Sequence, residues 1–143
     1  MGCTFCELTL LRSSSTVILE DSVVICIPDN RPIVRGHILL IPKRHVQNVF
    51  DLPEREYRHV MYILRTISNG VSLAYNPKMV AVFVAGYQIQ EHGHIHILPL
   101  NEGLADTLSN TPLRDRDEWA KESLRAEALK VIAALSTSYK GGV

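Results

Sequence analysis

The stretch HGHIHIL, residues 92–98, alternates polar and apolar side chains and decides how the rest of the chain is interpreted. Side chains two residues apart in a β-strand point to the same face, so His92, His94 and His96 are expected to form a row of imidazoles. The isoleucines of the stretch then face the core, and Gly93 leaves room on that face for another backbone segment or a helix to come close. Because adjacent titratable rings are costly to bury without partners, the row indicates chemistry rather than stability.

The sequence before this stretch predicts strands followed by one long helix. Two β-branched runs, Thr16–Glu20 and Val23–Ile27, indicate a hairpin, and HILLI at 37–41 indicates a buried strand. Apolar residues then recur at helical spacing, from a start at Asp51-Leu-Pro-Glu54 with Asp51 as the expected cap, to an end at Asn76-Pro77. This order predicts an α+β domain with a mainly antiparallel sheet.

The second half of the sequence predicts a further strand, a loop and a C-terminal helix. VAVFVA at 80–85 predicts a central strand, and the polar stretch 101–117 predicts a loop. A helical extension is expected at about 113–138. Since no repeat or linker divides the sequence, residues 1–143 are expected to form one domain, with the motifs confined to residues 1–100.

Composition excludes several classes of function. The 143 residues carry 15 basic and 15 acidic side chains, a balance that argues against general nucleic-acid binding but leaves room for a local phosphate site. There is no apolar run of membrane-spanning length and no signal-peptide pattern at the start, so neither a membrane nor a secretory role is expected. Three cysteines do not resemble a disulfide framework, and the expected location is the cytoplasm.

Cys3 and Cys6 have the spacing of thiolate ligands in tetrahedral zinc sites. A redox pair and two small buried residues are the other interpretations of this spacing. A zinc ion would need two more donors, for which His45 and one histidine of the row are the obvious choices. Cys26 lies within an apolar strand and is expected in the core.

Three interpretations of the histidine row itself remain open at this point. It is a zinc site with an open position, a site of phosphate chemistry in which imidazole is the nucleophile, or a solvated polar strand face. Strict alternation with apolar residues on the other face favours the first two.

Two motifs together resemble a known family. His92–Leu98 fits the pattern His-φ-His-φ-His-φ-φ, where φ is apolar, and Gly93 is its weakest position. Asp29–Pro32 followed by Gly36–His45 resembles a second recurrent segment, and helix-forming sequence separates the two. On these residues the chain resembles the histidine triad (HIT) family of nucleotide hydrolases and transferases. The resemblance implies a half-barrel antiparallel sheet with one long helix and a C-terminal helix, and a homodimer.

The same resemblance implies roles for individual residues. His94 would be the nucleophile, and His96 and His37 would hold or protonate phosphate oxygens around it. Asp29 would contact the ribose of a nucleotide, and Ile27 would provide an apolar contact to the base. A structural zinc ion would be held by four side chains: Cys3, Cys6, His45 and His92.

The segment AGYQIQE, residues 85–91, departs from the family pattern by one residue. A small hydroxyl residue or glutamine near this point contacts the scissile phosphate in the family. Gln88 and Gln90 are both candidates for that contact here, and the sequence does not decide between them.

The activity that the resemblance implies is cleavage at the α-phosphate of a nucleotide through a covalent nucleotidyl-histidine, which releases a nucleoside monophosphate without magnesium. The substrate would be a nucleoside phosphoramidate or a dinucleoside polyphosphate. Two alternatives remain: a nucleotide-binding or partner-binding module with little turnover, and a zinc hydrolase with an open site on the histidine row.

Overall fold

A computed structural model describes residues 2–11, 16–86, 91–110 and 116–138. Five strands form one open antiparallel sheet: β1 (Leu19–Glu20), β2 (Val24–Pro28), β3 (Ile38–Pro42), β4 (Met79–Ala85) and β5 (His94–Leu100). Their order across the sheet is β1-β2-β3-β5-β4. The helices are α1 (Thr4–Leu11), α2 (Glu54–Tyr75), α3 (Leu104–Asn110) and α4 (Lys121–Ser138). The predicted α+β class is therefore confirmed.

Helix α2 covers one face of the sheet and forms the main core with it. Its buried side chains recur at helical spacing: Val60, Ile63, Ile67 and Val71. They belong to the same cluster as Ile95 and Ile97 of β5, both fully buried, so the isoleucines of HGHIHIL face the core as expected. Helix α4 packs across α2 and contributes Ala128 and Val131 to this cluster. No helix in the described part of the chain is both long and apolar enough to span a bilayer.

Strand β4 lies at an edge of the sheet, which corrects the prediction of a central strand. Its apolar run suggested burial on both faces, but Val82 and Val84 are each 40% exposed. An uninterrupted run of apolar residues does not distinguish a central strand from an edge strand whose exposed side chains are also apolar.

The start of α2 also differs from the prediction. Asp51 lies in a 3₁₀ turn, Val49–Asp51, and does not cap the helix, which begins after Pro53 without a side-chain cap. A proline disfavours helical backbone in the residue before it, so Leu52 is extended and the helix begins two residues later than expected. The helix ends as predicted, at Asn76 in the left-handed conformation.

Residues 101–117 were predicted as a loop but contain α3. Leu104 and Leu108 are spaced one helical turn apart and pack against a cluster with Leu98 and Leu100. The buried Thr107 hydroxyl donates to the Gly103 carbonyl at 3.0 Å. Two apolar residues in a polar stretch were too weak a periodic signal to predict a helix.

Candidate active site and metal centre

The predicted row of histidines lies on the sheet face opposite α2. His94 and His96 belong to β5, whereas His92 precedes the strand, which begins two residues later than predicted. Antiparallel pairing of β3 with β5 brings His37, just before β3, beside His96. The two rings are joined by a 2.7 Å hydrogen bond between His37 Nε2 and His96 Nδ1. The ring of Phe83 in β4 stacks on His96 with centroids 4.2 Å apart.

Hydrogen bonding fixes which nitrogen of His37 and of His96 carries the proton. The Ile33 backbone N–H donates to His37 Nδ1 at 3.0 Å, so this nitrogen must be unprotonated. A neutral His37 then carries its proton on Nε2 and donates it to His96 Nδ1, which leaves the proton of His96 on Nε2. Burial lowers the pKa of His37 well below its ordinary value and that of His96 to about 3, so both rings are neutral at pH 7.

Asp29, His37 and His96 place three potential metal ligands within 4.8 Å of one another, and all three are buried. The backbone bond from Ile33 to His37 Nδ1 argues against a metal ion at this point. Coordination through Nε2 would require either loss of that bond or an imidazolate. The cluster is therefore better suited to form a chain of hydrogen bonds than to bind a cation.

His94 carries its proton on Nδ1, whereas His37 and His96 carry theirs on Nε2. Its Nδ1 donates to the His92 carbonyl at 2.8 Å, which places the lone pair on Nε2. The hydrogen bonds found among the described residues leave Nε2 without a partner, in a ring that is only 5% exposed. The ring is covered in part by Phe5 of α1, whose centroid lies 4.9 Å away. Burial lowers the pKa of His94 and favours the neutral ring.

Asp29 lies at the edge of this histidine cluster and is only 6% exposed. One carboxylate oxygen accepts the Arg31 backbone N–H at 2.8 Å. The other lies 3.4 Å from His37 Nε2 and 3.6 Å from Nη1 of Arg116. Burial raises the pKa of Asp29, and the Arg31 N–H and the Arg116 guanidinium oppose that rise. No sequence motif pointed to Arg116, which lies in the stretch predicted as a loop.

A cavity of about 230 Å³ is lined in part by Pro28 and Asn30, the chain neighbours of Asp29. Ile27 lines it from the sheet, Phe5 and Leu8 line it from α1, and Trp119 lines it from the segment before α4. The sequence suggested Ile27 but not the tryptophan, because nothing in the order of the residues shows that the C-terminal segment returns to this face. Gln88 and Gln90, the two candidates for a phosphate contact, lie outside the described residues.

The structure also brings Cys3, Cys6, His45 and His92 together, with their four ligand atoms within 4.8 Å of one another. His92 Nδ1 lies 3.5 Å from each sulfur, and His45 Nδ1 lies 3.3 Å from Cys6 Sγ. Tetrahedral zinc with its usual bond lengths separates sulfur and nitrogen ligands by about 3.5 Å. His92 Nε2 donates to the Pro42 carbonyl at 2.7 Å, which directs the Nδ1 lone pair at the thiols. These four residues therefore fit a zinc ion.

Gly93 explains how His45 and His92 come together. Its N–H donates to the Val46 carbonyl at 2.7 Å, and a Cβ at Gly93 would lie 2.8 Å from the Val49 nitrogen. The expected approach of another backbone at this glycine is therefore confirmed. Contact at this point holds the turn that carries His45 against the start of β5.

Fold and site together define a class: α+β proteins that present a histidine row on an antiparallel sheet, next to a Cys₂His₂ cluster. The HIT domain profile matches residues 11–103. The chain belongs to the HIT family.

Individual relatives agree with this assignment. The chain is 32% identical over 133 residues to the adenylylsulfatase HINT3 of Arabidopsis thaliana, covering 90% of this chain but only 61% of that protein. It is 24% identical over 117 residues to the adenosine 5'-monophosphoramidase HNT1 of Saccharomyces cerevisiae, covering 81% of this chain and 73% of that protein. A zinc-bound histidine triad protein from Mycobacterium smegmatis superposes with a TM-score of 0.77 at 22% identity, over 99% of both chains. This last similarity shows the shared fold.

Proposed function

We propose that the protein cleaves nucleotides at the α-phosphate through a covalent nucleotidyl intermediate on His94. One observation supports this more than any other: the hydrogen bond from His94 Nδ1 to the His92 carbonyl leaves Nε2 as the unprotonated nitrogen of a neutral ring. A neutral imidazole nitrogen with its tautomer fixed is both a nucleophile and, once bonded to phosphorus, a good leaving group.

Two displacements at phosphorus complete the reaction. His94 Nε2 forms a bond to the α-phosphorus while the bond to the leaving group breaks, and the ring becomes a cation whose Nδ1–H remains on the His92 carbonyl. Water or another acceptor then attacks phosphorus, the N–P bond breaks, and a nucleoside monophosphate is released. His96, with its proton on Nε2, donates to a phosphoryl oxygen as charge develops there, and His37 fixes that orientation.

The rest of the nucleotide is assigned to the residues around this centre. Asp29 accepts the ribose hydroxyls, and the cavity lined by Ile27 and Trp119 receives the base. Gln88 or Gln90 contacts the scissile phosphate. Phosphoramidates, dinucleoside polyphosphates and, from the activity named for the Arabidopsis relative, adenylyl sulfate are the leaving-group classes to compare.

Zinc is proposed as a structural ion held by Cys3, Cys6, His45 and His92. A zinc ion with four protein ligands has no open position for substrate. It would supply cross-linking and no chemistry: it would tie α1 to the turn after β3 and to the first histidine of the row. That arrangement distinguishes the proposal from a zinc hydrolase with an open site.

We also propose a homodimer that forms through β4. Among the described residues this strand pairs only with β5, and no described strand covers its other edge. Met79 is 50% exposed, and Val82 and Val84 are each 40% exposed beside that edge. Unpaired backbone and apolar side chains together favour pairing with a second strand. Light scattering of wild type and Val84→Lys tests this, because the charged variant is expected to be monomeric.

The central experiment assays the three leaving-group classes with wild type, His94→Asn and His59→Asn. His59 lies on α2 and bonds Asp21, outside the site, so its variant is a matched control. Loss of the nucleophile is expected to lower kcat by about 10³-fold or more, whereas the control retains wild-type turnover. Full activity in His94→Asn would contradict covalent catalysis, and binding without turnover in wild type would favour the binding-module alternative.

A further inference from the structure

The C-terminal segment 116–127 lies outside the matched HIT domain but contacts the loop 29–37, which carries Asp29 and His37. Hydrogen bonds that join the two include Arg116 to the Arg31 carbonyl, the Trp119 N–H to the Asn30 carbonyl at 2.8 Å, and Arg35 Nε to Glu127 Oε1 at 2.7 Å. The segment is therefore fixed against the site by backbone as well as side-chain contacts.

Arg116 is the residue of this segment that contacts Asp29. Its Nη1 lies 3.6 Å from Asp29 Oδ2, and the two side chains are only 11% and 8% exposed. Its bond to the Arg31 carbonyl fixes the guanidinium, while the Arg31 N–H holds the other carboxylate oxygen at 2.8 Å. A buried carboxylate without an opposite charge nearby tends to take up a proton, so the guanidinium favours the ionised form.

The ionised form is the one that ribose recognition needs. An ionised carboxylate only accepts hydrogen bonds, and its two oxygens match the two donor hydroxyls of a ribose. His37 Nε2 and Arg116 Nη1 both lie near the same oxygen, Asp29 Oδ2, at 3.4 and 3.6 Å. The Nε2 proton of His37 is donated to His96 Nδ1, so Arg116 supplies the positive charge beside the carboxylate.

We propose that Arg116 is a positioning residue that holds Asp29 ionised and oriented to accept the 2′- and 3′-hydroxyls of the nucleotide. This inference rests on the proposed function, because it takes Asp29 as the ribose contact. Arg116 acts through Asp29 and contributes to selection of ribonucleotides over nucleotides that lack those hydroxyls. Arg116 lies outside the HIT domain match, which ends at residue 103.

The test compares AMP with 2′,3′-dideoxy-AMP by calorimetry. Hydrogen bonds to a charged group are worth roughly 1.5–3 kcal/mol, so wild type is expected to prefer AMP by about ten-fold or more. In Arg116→Gln this preference is expected to fall to within about two-fold, mainly through weaker AMP binding. A merely structural defect would weaken both ligands and leave their ratio unchanged.

Two further variants make the result specific. Arg58→Gln removes an exposed charge on α2, which pairs with Glu54, and is expected to keep the wild-type ratio. Arg116→Lys keeps the positive charge and is expected to retain most of the wild-type preference for AMP. Should Arg116→Gln fail to fold, Arg116→Met preserves the aliphatic stem and is expected to lose the ratio in the same way.

The outcomes separate this inference from the proposed function. A wild-type ratio that persists in Arg116→Gln, or a wild type that binds both nucleotides equally, overturns the role of Arg116 while nucleotide binding stands. A wild type that binds neither nucleotide overturns both.

Discussion

Gly93→Ala tests whether backbone contact holds the metal centre together. The added Cβ would lie 2.8 Å from the Val49 nitrogen, 3.0 Å from the Asn48 carbonyl carbon and 3.2 Å from the Gln47 oxygen. All three are backbone atoms, so no side chain can rotate away. An ordinary contact distance is 3.4 Å. The Val49 nitrogen, and with it the turn, must therefore move about 0.6 Å away from the new Cβ.

Two consequences follow from that displacement. Overpacking of this kind costs about 1–3 kcal/mol of unfolding free energy. The same turn carries His45, and loss of contacts that support metal ligands typically costs about 10–100-fold in affinity, so zinc affinity is expected to fall by about that factor.

The assay is urea unfolding together with competition for zinc against a chelator. Gly103→Ala is the matched control, because its Cβ would meet only the flexible Asp106 carboxylate at 3.3 Å. Wild-type stability and zinc affinity in Gly93→Ala would refute the idea that this close approach positions the ligands.

Three further outcomes are expected. Burial lowers the pKa of His96 from 6.5 to about 3, so between these pH values the unfolded chain binds more protons than the folded one. The free energy of unfolding therefore falls as the pH drops, and His96 accounts for about 2 kcal/mol of this loss between pH 6.5 and pH 5. Urea midpoints in His96→Gln should depend less on pH, and an equally steep dependence would contradict a neutral buried ring. Replacing Cys3 and Cys6 by serine should reduce bound zinc to near zero, while Cys26→Ser, in the core, keeps it; stoichiometric zinc in the double variant would refute the ligand set. Trp119→Ala should weaken AMP binding by about 1–3 kcal/mol and leave ribose 5-phosphate unaffected, and equal losses for both would place the tryptophan away from the base.

Much of the site could be predicted because its residues follow a simple period. Alternation in HGHIHIL predicted which side chains face the core and which share the other face, and the structure has Ile95 and Ile97 buried among core residues. The glycine at 93 likewise predicted a close backbone approach, since no side chain occupies that position.

Other features depended on contacts between distant parts of the chain, which local patterns do not contain. The position of VAVFVA at a sheet edge follows from strand order, not from its composition. Arg116 and Trp119 belong to a segment with no motif, and they reach the site only because the segment returns to the loop 29–37. The start of α2 was predictable in principle, because Pro53 restricts the residue before it.

Attack by His94 is tested most directly by trapping the intermediate. Wild type is mixed for milliseconds with an adenosine phosphoramidate, quenched under denaturing alkaline conditions that preserve N–P bonds, and digested for mass spectrometry. A covalent mechanism predicts an adenylyl group on the peptide that contains His94, attached to its imidazole and missing in His94→Asn. Rapid turnover with no adduct at any quench time, or an adduct on His96 instead, would contradict it.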